Sequence, residues 1–338
     1  MWDFNIAATF GAMLRTLPFI VLRMLVYFGI ALGYVLAVGA GGAIGFGFGS
    51  FGDRESQGAG AFWGALVGFG GVSGVLYFAR EYILYLVKAG HIAVLVRVHD
   101  GENPPGGRGQ IEYATKMVKE HFAQASILFA LDQLIKGVLR VLTGLIGGVS
   151  MLIPIPAIQS VVNIINAILK MSLTYVDEII IAPNIRIASA NPWETSRQAL
   201  VLYAQNYGKF LKNAVWLWLI MWVLTLLLFL VFIGPAFAVM AVFPGEVGFF
   251  AFVVTFILAW SVKAALLEPF AIYALMQVYF KTIEGQVPNP EWDAKLAGAS
   301  KKFRQLAEKA KAHVTPTPAA EPAPVAVAPS TGGEGAPG

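Results

Sequence analysis

The sequence predicts an all-α, polytopic membrane protein, with about six transmembrane helices in three hairpins and amphipathic helices on the cytoplasmic side. Three observations carry that reading. Apolar residues make up 57% of the 338, charged residues only 13%, and the mean hydropathy is +0.67. A soluble chain needs about a quarter of its residues charged to cover its surface, so soluble folds are excluded. Apolar runs long enough to cross about 30 Å of hydrocarbon recur along the chain. Finally, Lys and Arg collect on one side of those runs, as the positive-inside rule requires.

Residues 1–23 read as a cytoplasmic N-terminus carrying Arg15 and Arg23. The transmembrane domain spans 24–285, with spans near 24–50, 59–79, 126–153, 157–182, 214–236 and 247–268. The first is too long for a secretory signal and lacks an A-x-A cleavage pattern, so it reads as a retained helix. Pro154-Ile155-Pro156 turns the chain between the third and fourth spans, and Pro244-Gly245 turns it before the sixth. Residues 286–312 read as an amphipathic cytoplasmic helix. Residues 313–338, mostly Pro, Ala, Gly, Val and Thr, read as a disordered tail with too little apolar surface for a core.

The charge count fixes the orientation. The N-terminus holds two basic residues, the segment 80–124 six, 183–212 four and the region from Lys281 seven, against Arg54 alone on the opposite side. Both termini are therefore expected in the cytoplasm of a plasma or bacterial inner membrane. The pI of about 9.1 reflects this distribution and not a nucleic-acid surface. With no cysteine and four scattered histidines, the chain offers no disulfide, metal site or catalytic constellation, so no cofactor and no enzyme activity are expected.

The first hairpin carries Gly41, Gly45 and Gly49 on one span and Gly60, Gly64 and Gly68 on the next. Four-residue spacing of small residues lets two backbones approach closely in lipid, so these are helix-packing residues. Gly47, Gly49 and Gly52 also spell G-x-G-x-x-G, but no strand precedes them and the match is a decoy.

Acids recur after each inward-running helix: Glu81, then Asp177 and Glu178, then Glu268. Each lies roughly 20 residues from the outer end of its helix, near the inner boundary of the hydrocarbon. An apolar stretch follows each, and then an Asn-Pro pair: Asn103-Pro104, Asn191-Pro192 and Asn289-Pro290, 88 and 98 residues apart. This order fits three related hairpin units, though three unrelated hairpins inserted by the same rule would also show it. Asn191 reads as an N-cap with Glu194 in a capping box. The acids either reach cytoplasmic water, pair with neighbours such as Arg80 or Lys88 with Glu81 and Lys263 with Glu268, or line a path for a cation. Asp132, Lys136 and Arg140 form one helical stripe, at mid-membrane or at the inner interface depending on where the third span begins.

Four passages resemble the choline transporter-like family. They are V-K-A-G-H-I-A at Val87 to Ala93, the amphipathic-to-span passage Ile111 to Ile146, S-R-Q-A-L-V-L-Y-A-Q-N at Ser196 to Asn206, and A-L-L-E-P-F at Ala265 to Phe270. The resemblance implies transport of choline or a related amine, with Glu268 the acid that carries over by position. The large extracellular loop and additional spans of that family are absent here. A quaternary ammonium favours aromatic faces, and Trp260, Tyr273 and Tyr279 lie near Glu268 in the chain. The expected pathway therefore comprises Glu268, Asp177, Glu178, Glu81, Trp260 and Tyr273. The expected partners are the lipid bilayer and a small solute, with a homo-oligomer or a membrane protein complex left open. The alternative is a non-transporting protein that organises lipid or such a complex.

Overall fold

A computed structural model describes residues 2–121, 125–147, 175–242 and 245–313, and every regular element among them is an α-helix. A short helix comes first: α1, Ile6–Arg15, is capped by Asn5, whose side chain accepts from the Ala8 N–H at 3.0 Å. The stretch expected to be only a flank is thus partly folded. A second helix, α2, Leu17–Gly49, starts at Thr16 with Pro18 in its first turn, where the missing N–H is not needed. Asp53 then caps α3, Arg54–His99, a helix of 46 residues.

Shorter helices follow: α4, Arg108–His121; α5, Ala125–Gly147; α6, Val176–Arg186; and α7, Pro192–Gln205. Two long ones come next, α8, Tyr207–Val242, and α9, Glu246–Ile283. The chain ends in α10, Pro290–Ala299, and α11, Lys301–Ala312. The single amphipathic helix expected over 286–312 is interrupted because Ser300 is extended and caps α11, accepting from Phe303 N–H at 3.3 Å.

The exposure pattern divides the molecule in two. The C-terminal part of α3, α6 and the C-terminal part of α9 bury Ile92 to Val96, Ile179 to Ala182 and Phe270 to Phe280 almost completely. These are the apolar stretches that follow the acids in the sequence. α6 packs on both α3 and α9, and together they form the core of a helical body. α11 closes it by setting Phe303, Leu306 and Ala310 against α5 and α7, which disposes of any need to lie on the membrane surface.

From that body two hairpins project, α2 with α3 and α8 with α9. Their outer parts expose Leu36, Phe48, Trp63, Val67, Leu227, Val231, Phe237 and Phe256, an apolar surface of the kind a membrane protein presents to lipid or to a partner within the bilayer. Among the described residues, four helical segments are long and apolar enough to cross a membrane: Leu17–Gly49, Tyr82–His99, Tyr207–Val242 and Phe252–Ile283. Within α3 the qualifying stretch is mostly buried in the body, and the expected span 59–79 precedes it in the same helix. The expected spans 126–153 and 157–182 are described only over 126–147 and 175–182, and those parts pack into the body. Residues 148–174 and the tail from 314 lie outside the described residues.

The glycine seam closes the first hairpin. A methyl group added to Gly45 would collide with the Gly60 carbonyl, one on Gly41 with the Gly64 carbonyl, and one on Gly64 with the Gly41 carbonyl. Gly49 meets Ser56, and Gly68 meets Ala37. No other residue type fits at these crossings, whereas Gly47 meets nothing within 4 Å. Gly47 to Gly52 form the end of α2 and its turn, in keeping with a decoy.

Candidate functional site

Where the hairpins enter the body, five helices bring ionisable side chains together. α2 places Arg23 and Tyr27 one turn apart on the same face. Arg23 Nη2–H donates to Glu268 Oε2 on α9 at 2.6 Å, and the Tyr27 hydroxyl donates to the same oxygen at 2.6 Å. Lys88 on α3 lies between two acids, 3.1 Å from Glu178 Oε1 on α6 and 3.7 Å from Glu268 Oε2. On α5, Lys136 pairs with Asp132 at 2.8 Å and reaches Asp177 at 3.6 Å.

The stripe of α5 is therefore inside the body, with Asp132 buried, while Arg140 points out to solvent. Arg23, counted in the sequence as a cytoplasmic flank, is only 1% exposed. A buried charge costs several kcal/mol unless paired and hydrogen-bonded. Here Arg23 finds Glu268 and, at 3.5 Å, His91 Nδ1. His91 is held in turn by Thr16 Oγ1 at 2.9 Å from its Nε2 and by stacking on Phe19. Asp177 Oδ1, Glu178 Oε2 and Arg23 Nε are buried with no hydrogen-bond partner among the described residues.

Above this network a chamber of about 680 Å³ opens between the hairpins. Glu268 and Lys263 line it, together with Tyr27, Tyr34, Tyr175, Trp218, Trp222 and Trp260. A smaller cavity of about 220 Å³ lies on the inner side, lined by Lys88, Asp132, Lys136 and Glu178. Both cavities touch Tyr27, Leu84 and Glu268, so the Glu268 carboxylate stands between them. That side chain is 25% exposed, and its Oε1 carries no hydrogen bond among the described residues.

Of the expected pathway, Glu268 and Trp260 meet in the chamber, and Glu178 lines the inner cavity. Asp177 belongs to the same charge network through Lys136. Tyr273 does not: it is buried in the body with its ring 6.2 Å from that of His99, because α9 has turned it away from the hairpins. The side chain of Glu81 lies outside the described residues. One suggested pairing is corrected: Lys263 lies over the Trp260 ring at 5.0 Å instead of reaching Glu268. Lys88 bridges Glu178 and Glu268, and its suggested pairing with Glu81 lies outside the described residues.

Arg23, Tyr27, Lys88 and Tyr175 were not legible as site residues. Arg23 and Lys88 fall close to other basic residues and looked like ordinary flanking charge; the only available signal was their four- and seven-residue spacing from aromatic or acidic neighbours on an apolar helix face.

Outside the network, Asn191 does cap α7, accepting from Glu194 N–H at 3.2 Å, and Asn289 caps α10 through Glu291 N–H at 2.7 Å. The Glu194 carboxylate does not complete a capping box: Arg197 takes both its oxygens at 2.9 Å, and Arg197 also pairs with Asp293 of α10. Those bonds hold Glu194 below the usual carboxylate range, against burial that pushes it up. Asn103 caps nothing, since α4 begins at Arg108, so only two of the three Asn-Pro pairs act alike.

Comparison with known protein families, with curated proteins and with solved structures finds no match.

Proposed function

We propose that this protein binds a small organic amine in the chamber between its hairpins and moves it across the membrane. The observation that carries the reading is the free Oε1 of Glu268 at the floor of an aromatic chamber. Its other oxygen already takes Arg23, Tyr27 and Lys88, so the carboxylate is held in orientation while Oε1 remains to face a ligand ammonium, as acceptor where the ligand carries an N–H and by charge alone where, as in choline, it does not. Trp218, Trp222 and Trp260 offer ring faces to the rest of an ammonium group. The resemblance to the choline transporter-like family points the same way.

Passage inward needs the network to rearrange, and Lys88 supplies the means. Its ammonium already lies within 4 Å of both Glu178 and Glu268, so it can lean toward Glu178 when an incoming ammonium takes over Glu268. The inner cavity lies on the side to which that ammonium would move. The body, with the basic segments that surround it, is read as facing the cytoplasm of a plasma or bacterial inner membrane.

The test is uptake of labelled choline, ethanolamine and related amines into proteoliposomes. Saturable uptake that Glu268→Gln abolishes and Tyr273→Phe preserves is expected. Well-folded protein that takes up none of these amines, with a proton gradient, a sodium gradient or neither, would sink the proposal. That outcome would favour the alternative role of organising lipid or a membrane protein complex through the glycine-sealed hairpin.

A further inference from the structure

The chamber does not end at Trp260. A second cavity, about 330 Å³, continues from it between α8 and α9. It shares Thr225, Trp260 and Lys263 with the chamber and is otherwise walled almost entirely by apolar side chains, among them Phe232, Phe252 and Phe256. Along α9 the order from the body outward is therefore fixed: a carboxylate at Glu268, a cation at Lys263, then an apolar groove from Trp260 to Phe252.

Lys263 makes no ion pair among the described residues, and its ammonium rests on the Trp260 ring at the junction of the two spaces. An unpaired cation at membrane depth is expensive unless something anionic answers it. Five residues separate it from Glu268, about 7.5 Å along the helix axis. The groove then extends eight residues from Trp260 to Phe252, about 12 Å farther.

We infer that this is a phospholipid site, and that the amine recognised by the protein is carried on the head group of an aminophospholipid. The inference rests on the amine reading of Glu268. The ammonium donates to Glu268 Oε1, the phosphate meets Lys263, and one acyl chain lies in the groove between α8 and α9. Charge complementarity selects this occupant, because a free amine leaves Lys263 unanswered and a purely anionic lipid offers nothing to Glu268 Oε1, the oxygen that Arg23, Tyr27 and Lys88 do not take. The direction also agrees: a lipid of the inner leaflet presents its head at the inner boundary and its chains toward the bilayer centre, the order found along α9.

The test uses protein stripped of lipid in detergent and reloaded with dioleoylphosphatidylethanolamine or with dioleoylphosphatidylglycerol, the retained lipid counted by native mass spectrometry. One phosphatidylethanolamine per chain is expected to stay bound, about tenfold more tightly than phosphatidylglycerol. Lys263→Gln and Ala259→Phe, which fills the groove wall, should each weaken retention about tenfold. Binding of free ethanolamine, measured by calorimetry, should be lost in Glu268→Gln and kept in Ala259→Phe. Folding of each variant is checked by elution profile and Tm, and Ala259→Phe carries the test alone if Lys263→Gln misfolds. Ethanolamine binding without lipid retention overturns the lipid site and leaves the amine site standing. Equal retention of the two lipids overturns the head-group assignment, indifference to Ala259→Phe overturns the chain groove, and failure of both ligands overturns both readings.

Discussion

Removing the two halves of the Arg23–Glu268 pair should have unequal effects, and removing both should hurt less than removing the acid. Glu268→Gln leaves the buried Arg23 guanidinium with no countercharge, facing a neutral amide and the His91 ring at 3.5 Å. Stranding a buried charge in this way costs about 3 to 5 kcal/mol. Arg23→Met is milder, because Glu268 keeps the Tyr27 hydroxyl at 2.6 Å, Lys88 at 3.7 Å and some solvent. One lost charge-assisted hydrogen bond there costs about 1.5 to 3 kcal/mol. The double variant has no stranded charge, so it should be more stable than Glu268→Gln alone, the coupling energy having the sign that rescues. Thermal unfolding in detergent reads this as a Tm lowered by about 10 °C in Glu268→Gln and by about half as much in the double variant, at about 2 to 4 °C per kcal/mol. Additive losses, with the double variant the least stable of the three, would refute a buried pair at this position.

Gly45→Leu and Gly64→Leu should each open the α2–α3 hairpin, seen as loss of disulfide formation between Gly42→Cys and Ala65→Cys, whose Cβ positions lie 3.6 Å apart, in a protein otherwise free of cysteine. Gly47→Ala, with open space around it, should instead stabilise α2 by about 1 kcal/mol in thermal unfolding. Glu194 has its pKa depressed in the folded chain, so its contribution is present above the ordinary carboxylate value of about 4.3 and is lost as pH falls through the lower folded one. Hydrogen exchange in α7 and α10 should therefore rise under acid, and Glu194→Gln should flatten that response. Ser300→Ala should cost about 1 kcal/mol by removing the cap of α11, measured as faster exchange in its first turn.

The membrane class, the glycine seam and the helix starts at Asn191 and Asn289 were legible because each depends on local pattern: run length, small-residue spacing and cap chemistry. Glu268 and Trp260 were legible as neighbours because α9 is one continuous helix. The division between lipid-facing hairpins and buried body was not. Apolar residues that face lipid and apolar residues that form a core look the same in a chain, so Leu131 to Leu142 and Ile179 to Ala182 could not be told from spans. The network was hidden for a related reason. Arg23 and Glu268 are 245 residues apart, and nothing in either local sequence announces the other. Tyr273 was misplaced because nearness along a helix does not set the face a side chain occupies.

One consequence follows from the length of α3. Forty-six residues make a rod about 69 Å long, more than twice the thickness of the hydrocarbon. It crosses α2 with its backbone pressed against its neighbour around Gly60 and Gly64, and it carries Lys88 about 36 Å beyond that crossing. Such a rod is a lever with its fulcrum at the glycines. A tilt of about 5° at the fulcrum displaces Lys88 by about 3 Å, a distance comparable with either of its ion-pair contacts. A change in the tilt of α3 at its glycine crossing would therefore reach the Lys88 pairing through the rod itself.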